Sequence, residues 1–459
     1  MEDTDEQEEF LTLTLAIVAD SKFDTKRKRR KREASVEPVS SNEEYRESKI
    51  FSLLQLREQM LKLDHKRKGV AEDGKGLHLV HLLLISATFV DENKLDSCIE
   101  SLSELFRYVC FRGDSVQRVA TYFADALVAR LLTRKSPFYN MIVKEPTAEE
   151  EFSAFTELYT VSPYYQFAHF TANQAIIEAF EKEERFNNRV LHVIDFDVSY
   201  GFQWPSLIQS LADKAASSNR ISLRITAFGR RLEELQETET RLVCFAKGIR
   251  NIVFEFQGLL RGSSNFSNVK RKNNETVAVN LVFHLNTLTS VSKISDTLKS
   301  VHFLNPAIVI LVEQEASRNP RSFLAQFMES LHFFAAMFDS LDDCLPLDSE
   351  GRLRIEKNHL GREIKRFMNY EKDTSNCIEY ERMKTWKERM EGHGFRGVKL
   401  SSRSVMQAKL LLKMRSQYCP VQCDGENGGF RVFERDESTA ISLGWQDRFL
   451  LTASAWHRV

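Results

Sequence analysis

Cysteine is scarce in this sequence, with seven residues spread from Cys98 to Cys423 in an odd count and without paired spacing. That excludes a disulfide framework and fits reduced thiols inside a cell. Net charge is nearly absent as well. Lys plus Arg number 64 and Asp plus Glu 65, for a formal charge of −1, so the whole chain is no histone-like polyelectrolyte and any nucleic-acid contact has to be local. No apolar run reaches the roughly 20 residues of a membrane helix. The acidic start Met1-Glu2-Asp3-Thr4-Asp5-Glu6 does not read as a signal peptide. Apolar surface is plentiful: hydrophobic residues make up 42% and Phe alone 33 of the 459 residues, which excludes disorder throughout. A chain of this length is expected to form a large domain, or two subdomains, plus a tail.

Composition divides the chain. Residues 1–48 hold an acidic start, a short apolar alternation, a basic block and a polar Ser/Glu stretch, with no period long enough for a core; they read as a disordered tail carrying short signals. Residues 49–188 are mainly helical. Leu95, Cys98, Ile99, Leu102, Leu105, Phe106 and Val109 recur at three and four, the stripe of an amphipathic helix. The next helix repeats this with Val116, Val119, Tyr122, Phe123, Leu127 and Leu131, and Asp114 with Gln117 makes a capping pair at its start. From residue 189 onward short apolar runs alternate with helices. Strands are expected at 190–196, 221–228, 251–256, 277–285 and 307–313, with Trp204-Pro205 opening a helix between the first two. Close-spaced strands at 429–434, 441–443 and 449–454 finish the chain. The expected fold class is therefore α/β: a methyltransferase-like, Rossmann-type, mostly parallel sheet with antiparallel C-terminal strands and an N-terminal helical cap.

That architecture directs attention to the exit of the first strand, where open parallel sheets bind their ligands. A methyl-donor or dinucleotide site needs a glycine-rich turn there for close backbone approach. Asp195-Phe196-Asp197-Val198-Ser199-Tyr200-Gly201-Phe202-Gln203-Trp204 has one glycine, with Tyr200, Phe202 and Trp204 crowding the space. The next strand ends in Thr226-Ala227-Phe228-Gly229-Arg230-Arg231, without the acidic residue that would hold ribose hydroxyls. No cofactor is expected, and Asp195 and Asp197 are read as acceptors for backbone donors in the turn. Gly392-His393-Gly394-Phe395-Arg396-Gly397 follows a helical stretch and precedes a strand, the reverse of the nucleotide fingerprint, and reads as a helix stop. His78 with His81, and Cys419 with Cys423, lack a second ligand pair for zinc. No catalytic residue and no metal site is expected, nor is enzyme activity.

The tail carries two signals. Lys26-Arg27-Lys28-Arg29-Arg30-Lys31-Arg32 is an uninterrupted basic run, suited to nuclear import or to phosphate contact. Leu11-Thr12-Leu13-Thr14-Leu15 places three leucines on one side of an extended strand, as an edge-pairing or groove-docking peptide needs. It is similar to the Leu-x-Leu-x-Leu repression motif through which plant regulators recruit corepressors, and an incidental strand fragment would show the same pattern.

Five regions in order resemble the GRAS family of plant transcriptional regulators, from about residue 75 to the C-terminus. His192-Val193-Ile194-Asp195, continuing through Gly201-Phe202-Gln203-Trp204-Pro205, is similar to the VHIID signature, and Phe170 to Ile176 to the helix before it. Residues 77–90 resemble the opening of the first leucine-rich region. Phe333-Phe334, Phe338-Asp339-Ser340-Leu341 and Arg362-Glu363 resemble the PFYRE region, with phenylalanines where tyrosines are common. Leu443-Gly444-Trp445 and Ser454-Ala455-Trp456 match the terminal SAW region. The N-terminus lacks the DELLA and VHYNP boxes of the gibberellin-responsive branch. Ser162-Pro163-Tyr164-Tyr165-Gln166-Phe167 and Ala408-Lys409-Leu410-Leu411-Leu412 look closer to the symbiosis-associated members, those named for nodulation signalling and arbuscule development.

The resemblance implies a nuclear transcriptional co-regulator that acts through other GRAS proteins, as homo- or heterodimer, or through DNA-binding factors, with DNA contacted mainly indirectly and no membrane partner. Some apolar faces in residues 50–132 are then expected to form a docking surface, while Trp445, Trp456 and Arg362 are expected to close the fold. The rival readings are a divergent S-adenosylmethionine-dependent methyltransferase and a direct DNA-binding factor.

Overall fold

The computed structural model describes residues 41–64, 75–132, 135–215, 219–262, 269, 271–288, 290–316, 322–368, 381–418 and 429–459. Leu11, Leu13, Leu15, the basic run 26–32 and the Cys419/Cys423 pair lie outside the described residues. Helix α1, Ser41–Asp64, begins inside the segment expected to be tail. Its Ile50, Leu53 and Leu54 are buried, so an apolar i, i+3, i+4 triplet in the middle of the helix draws this stretch into the core.

Helices α2 (Lys75–Asp91), α3 (Leu95–Phe106) and α4 (Ser115–Leu131) pack on one another, and α1 lies against α3. The expected stripe of α3 is buried at Cys98, Leu102, Leu105 and Phe106. At the start of α4 the capping pair closes both ways: Gln117 N donates to Asp114 Oδ1 at 2.8 Å, and Asp114 N to Gln117 Oε1 at 3.2 Å. Two orphan amides are satisfied together, a gain of about 1 kcal/mol. A short α5 (Tyr139–Ile142) leads to α6 (Ala148–Val161) and α7 (Pro163–Lys182). Ser162 caps α7, accepting from Tyr164 N at 3.3 Å, while Pro163 occupies its first turn.

Among the described residues nine strands form one sheet in the order β3-β2-β1-β4-β5-β9-β8-β7, with β6 also pairing β9. Strands β1 (Val190–Asp195), β2 (Ile221–Gly229), β3 (Ile252–Leu260), β4 (Thr276–Val282) and β5 (Ile308–Gln314) are parallel. Their crossovers are α8 (Trp204–Lys214), α9 (Leu232–Lys247) and α10 (Val291–Phe303). The order reverses between β1 and β4, the switch point of a doubly wound sheet. Strand β9 (Arg448–Arg458) runs antiparallel beside β5. Its far edge is divided between β8 (Ala440–Trp445) and the short β6 (Phe395–Val398), and β7 (Phe430–Arg435) completes that end. This is the expected methyltransferase-like sheet with an antiparallel end.

Side chains alternate between two cores. Leu191 and Val193 of β1 join the large cluster shared with the cap, and Ile194 and Phe196 join a second cluster beneath α10. Helices α7 and α15 (Ser402–Tyr418) lie together on the cap side; α14 (Met383–Gly392) contributes Trp386 and Met390 to the second cluster. Chain order does not respect the expected cap boundary at residue 188. Helices α11 (Phe323–Asp342), α12 (Glu350–Ile355) and α13 (Gly361–Met368) return from the sheet segment, and α11 and α13 pack on α4. Phe123 meets Phe327 at 5.3 Å and Phe334 at 6.2 Å between ring centroids. Helix α11 buries Phe on several sides because it is wedged between cap and sheet.

Candidate functional site

The turn after β1 is built on carboxylates, as expected, and on a wider set of partners besides. Asp195 Oδ1 accepts from Asp197 N at 3.2 Å, and Asp197 Oδ1 from Ser199 N at 3.2 Å. Asp195 also accepts from Asn280 Nδ2 at 3.0 Å and Trp204 Nε1 at 3.2 Å. Asn280 exchanges two further bonds with Gln203, and Gln203 donates to Asn173 Oδ1 at 3.1 Å. One buried chain of amides thus ties β1, β4, α7 and α8 together. Burial raises the Asp195 carboxyl to about 7 against the pull of these donors. Trp204 is fully buried under the turn. It braces Asp195 and does not crowd a ligand space; of the three rings in this turn, Tyr200 and Phe202 line the cavity.

His192 points to the opposite face, where Nδ1 lies 3.1 Å from Glu275 Oε1 and Nε2 2.9 Å from Thr226 Oγ1. Val193 and Ile194 are core residues of the two clusters. Arg362 joins α13 to α6, donating from Nε to Glu145 Oε2 at 2.6 Å and pairing with Glu151. Trp445 Nε1 donates to Asp339 Oδ2 of α11 at 2.7 Å, and Trp456 Nε1 to Ser454 Oγ at 2.9 Å in the second core. The family-motif residues therefore do not converge on one point. Of the outlying ones, Arg362 and Glu363 reach the rim of a common cavity with the β1 turn.

That cavity, of about 660 Å³, lies over the carboxyl ends of the parallel strands. Aromatic rings line it in a contiguous set: Phe155 lies 4.8 Å from Tyr165, 4.9 Å from Tyr200 and 5.4 Å from Phe202 between centroids. Strand β4 is followed by Phe283 at φ 53° and a single helical turn, Leu285–Thr287, that brings Asn286 to the cavity. Glu313 at the end of β5 holds this turn, accepting from Leu285 N at 2.5 Å and Asn286 N at 3.2 Å. Burial pushes Glu313 up to about 8 and His169 down to about 3, so both are neutral near pH 7. Sequence reasoning missed Asn286 and Glu313. Glu313 opens the polar run Glu313-Gln314-Glu315 at the end of β5, and Asn286 follows the end of β4 by four residues.

The site does not fit S-adenosylmethionine. Gly201, at φ 72°, is required by packing, since a Cβ there would meet Thr238 Cγ2 at 2.6 Å. Gly229 and Arg230 stand where a ribose would need a carboxylate. Elsewhere, Gly394 at φ 81° makes the turn between α14 and β6, the helix stop expected of the glycine motif. His78 packs edge-on against Tyr108. Among the described residues no group of three or more His, Cys, Asp or Glu could hold a metal ion, and no helix is long and apolar enough to cross a membrane.

Fold and site define a helix-capped, methyltransferase-like domain whose methyl-donor turn is replaced by aromatic packing. The chain belongs to the GRAS domain family, which it matches over residues 79–457. It is 36% identical over 396 residues to Protein SCARECROW 1 of Oryza sativa subsp. japonica, covering 84% of this chain and 57% of that protein. To the GRAS family protein RAD1 of Lotus japonicus it is 33% identical over 407 residues, covering 84% and 76%. The crystal structure of SCL7 in Oryza sativa matches with a TM-score of 0.68 at 30% identity, covering 83% of this chain and 99% of that one. The chain spans a little over half the length of the rice SCARECROW relatives.

Proposed function

We propose that this protein is a nuclear transcriptional co-regulator that works by binding other GRAS proteins or DNA-binding factors. Membership of the GRAS family carries the reading, together with a β1 turn unsuited to methyl transfer. The sequence reading expects some apolar faces in residues 50–132 to form the contact surface, with the leucines of the cap as candidates. Burial argues against most of them, since Leu79, Leu82, Leu83, Leu102 and Leu127 are all core residues. Exposed apolar side chains gather instead on α15, where Met406, Leu410 and Met414 are 65%, 54% and 51% exposed at i, i+4 and i+8. We assign contact with a second GRAS domain to this ridge.

The test is affinity capture from nuclei with the full chain and with Met406→Glu/Leu410→Glu. Partner recovery is expected to fall while the thermal melt is unchanged; equal recovery would remove the ridge from the proposal. Replacing residues 26–32 by alanine is expected to move the protein to the cytoplasm, and unaltered nuclear signal would remove import from that run. Corepressor recruitment by Leu11, Leu13 and Leu15 is tested by alanine at all three and a tethered reporter, whose repression is expected to lapse. A role in arbuscular symbiosis rests on residues 162–167 and 408–412, and its test is the arbuscule count in a null plant.

A further inference from the structure

The amino-terminal ends of the parallel strands, opposite the cavity, carry the two most exposed phenylalanines among the described residues. Phe186 is 77% exposed in the turn before β1, and Phe303 is 86% exposed where α10 ends before β5. Hydrogen bonds set both turns at one level. Asn187 Nδ2 donates to Thr276 Oγ1 at the start of β4 at 2.9 Å, and Ala307 N donates to the Val277 carbonyl, one residue on, at 2.8 Å. Strands β1, β4 and β5 are neighbours, so two strand spacings, about 10 Å across the sheet, separate the turns. Helix α7 reaches this end along the cap face and α10 along the other. A peptide laid across the strand starts passes both rings.

Arginines flank them. Arg271 donates from Nη1 to the Leu304 carbonyl at 2.7 Å and Arg458 from Nη1 to Asn305 Oδ1 at 3.1 Å, which holds both guanidiniums against the residues that follow Phe303. Arg185 precedes Phe186, and Arg220 lies two positions before Ser222, the partner of Val190 in β1. All four arginines are exposed, and none has an ion-pair partner among the described residues. The acids nearby are mostly taken. Glu184 pairs with Arg189, Glu255 with Arg224 and Lys272, and Glu275 with Arg224 and His192. Glu183 is unpaired among the described residues, one acid against four arginines. This end of the sheet therefore suits a segment in which carboxylates stand next to apolar side chains.

The chain carries such a segment outside the described residues. Glu2, Asp3, Asp5, Glu6, Glu8 and Glu9 are followed directly by Phe10, Leu11, Leu13 and Leu15, with no basic residue among them. About 25 residues separate Leu15 from the start of α1 at Ser41, an extended reach of about 85 Å. A globule of this size is about 55 Å across, so the segment reaches any face of its own domain. We propose that residues 2–15 dock on this basic, phenylalanine-bearing end of their own chain. Their carboxylates meet the arginines, and their apolar side chains cover Phe303 and Phe186. The contact does not rest on the corepressor reading; where both hold, docking withholds Leu11, Leu13 and Leu15 from the corepressor.

The test is photo-crosslinking of the full chain with benzoylphenylalanine in place of Phe10, on an equal mixture of isotopically light and heavy chains, read by mass spectrometry. Cross-links are expected within one chain, at residues 183–189 and 302–305, and are expected to weaken as salt rises from about 50 to about 500 mM. Phe303→Ser is expected to lower the yield at 183–189 at least fivefold. Glu6→Gln/Glu8→Gln/Glu9→Gln is expected to lower it at both stretches, and this variant leaves the described residues untouched, so its result stands whether or not Phe303→Ser folds. Cross-links gathered on the basic run 26–32, or spread over the surface without preference, overturn the proposal. So do cross-links that neither variant weakens, and cross-links that join light to heavy chains instead of residues of one chain.

Discussion

Arg118 of α4 donates from Nε to Glu356 Oε1 at 2.9 Å, and both side chains are fully buried. The same guanidinium reaches Asp342 Oδ1 of α11 at 2.5 Å and the Gly113 carbonyl at 2.8 Å. Arg352 lies 3.7 Å from Glu356 and 3.8 Å from Asp342, so two guanidiniums and two carboxylates meet between α4, α11 and α12. Residues far apart in sequence are joined here, and the cap is held to the segment that returns from the sheet.

Removing one member of such a buried set leaves an uncompensated charge. Arg118→Met is expected to destabilise the chain by about 3–5 kcal/mol in urea unfolding. Arg118→Met combined with Glu356→Leu is expected to recover part of that loss, and a double variant no better than the single one would show that the pair contributes net stability.

Glu313 gives a pH dependence of known sign. Its folded pKa, about 8, is above the usual carboxyl value of 4.5, so the native state holds a proton that the unfolded chain has released. Stability from this group is full below pH 4.5 and is lost as pH rises toward 8. Glu313→Gln cannot ionise. Between pH 5 and 8 its melting temperature is expected to gain on wild type, by a free-energy difference on the order of 3 kcal/mol; parallel curves would refute a raised Glu313.

Gly201 is at φ 72° with Thr238 Cγ2 where a Cβ would stand, 2.6 Å away. Gly201→Ala is expected to cost about 1–3 kcal/mol in a denaturant melt. Pairing it with Thr238→Ser, which removes the obstructing methyl, leaves the backbone strain and is expected to recover only a fraction.

Trp445 ties the antiparallel end of the sheet to α11 through Asp339, at 2.7 Å. Trp445→Phe keeps most of the ring and deletes the donor, for an expected loss of about 1.5–3 kcal/mol since the acceptor is a carboxylate. Combining Asp339→Asn with Trp445→Phe is expected to add little to the loss from Trp445→Phe alone. A full additive penalty in that double variant would mean that Asp339 acts mainly through its other donor, Ser115 Oγ at 3.1 Å.

Local chemistry was enough for most of the elements and their order, though not for the start of α1 or for the helical turn that ends the expected strand 277–285. Hydrophobic period separated helices from strands, Asp114/Gln117 and Trp204-Pro205 marked helix starts within a residue, and Asp195 and Asp197 were placed correctly as turn acceptors, because all of these depend on neighbours a few positions away. Contacts across the chain were decided elsewhere. Nothing in a periodic stripe tells an apolar face covered by α11 from one left bare, so most cap leucines went into the core, with Leu77 left 84% exposed, while Met406, Leu410 and Met414 stayed outside. The return of residues 323–368 to the cap, the Arg118 charge cluster and the cavity that Asn286 lines together with rings from α6 and α7 all join segments more than a hundred residues apart. Burial and pairing at such separations follow from how the sheet crosses over and closes, and only the folded chain carries that information.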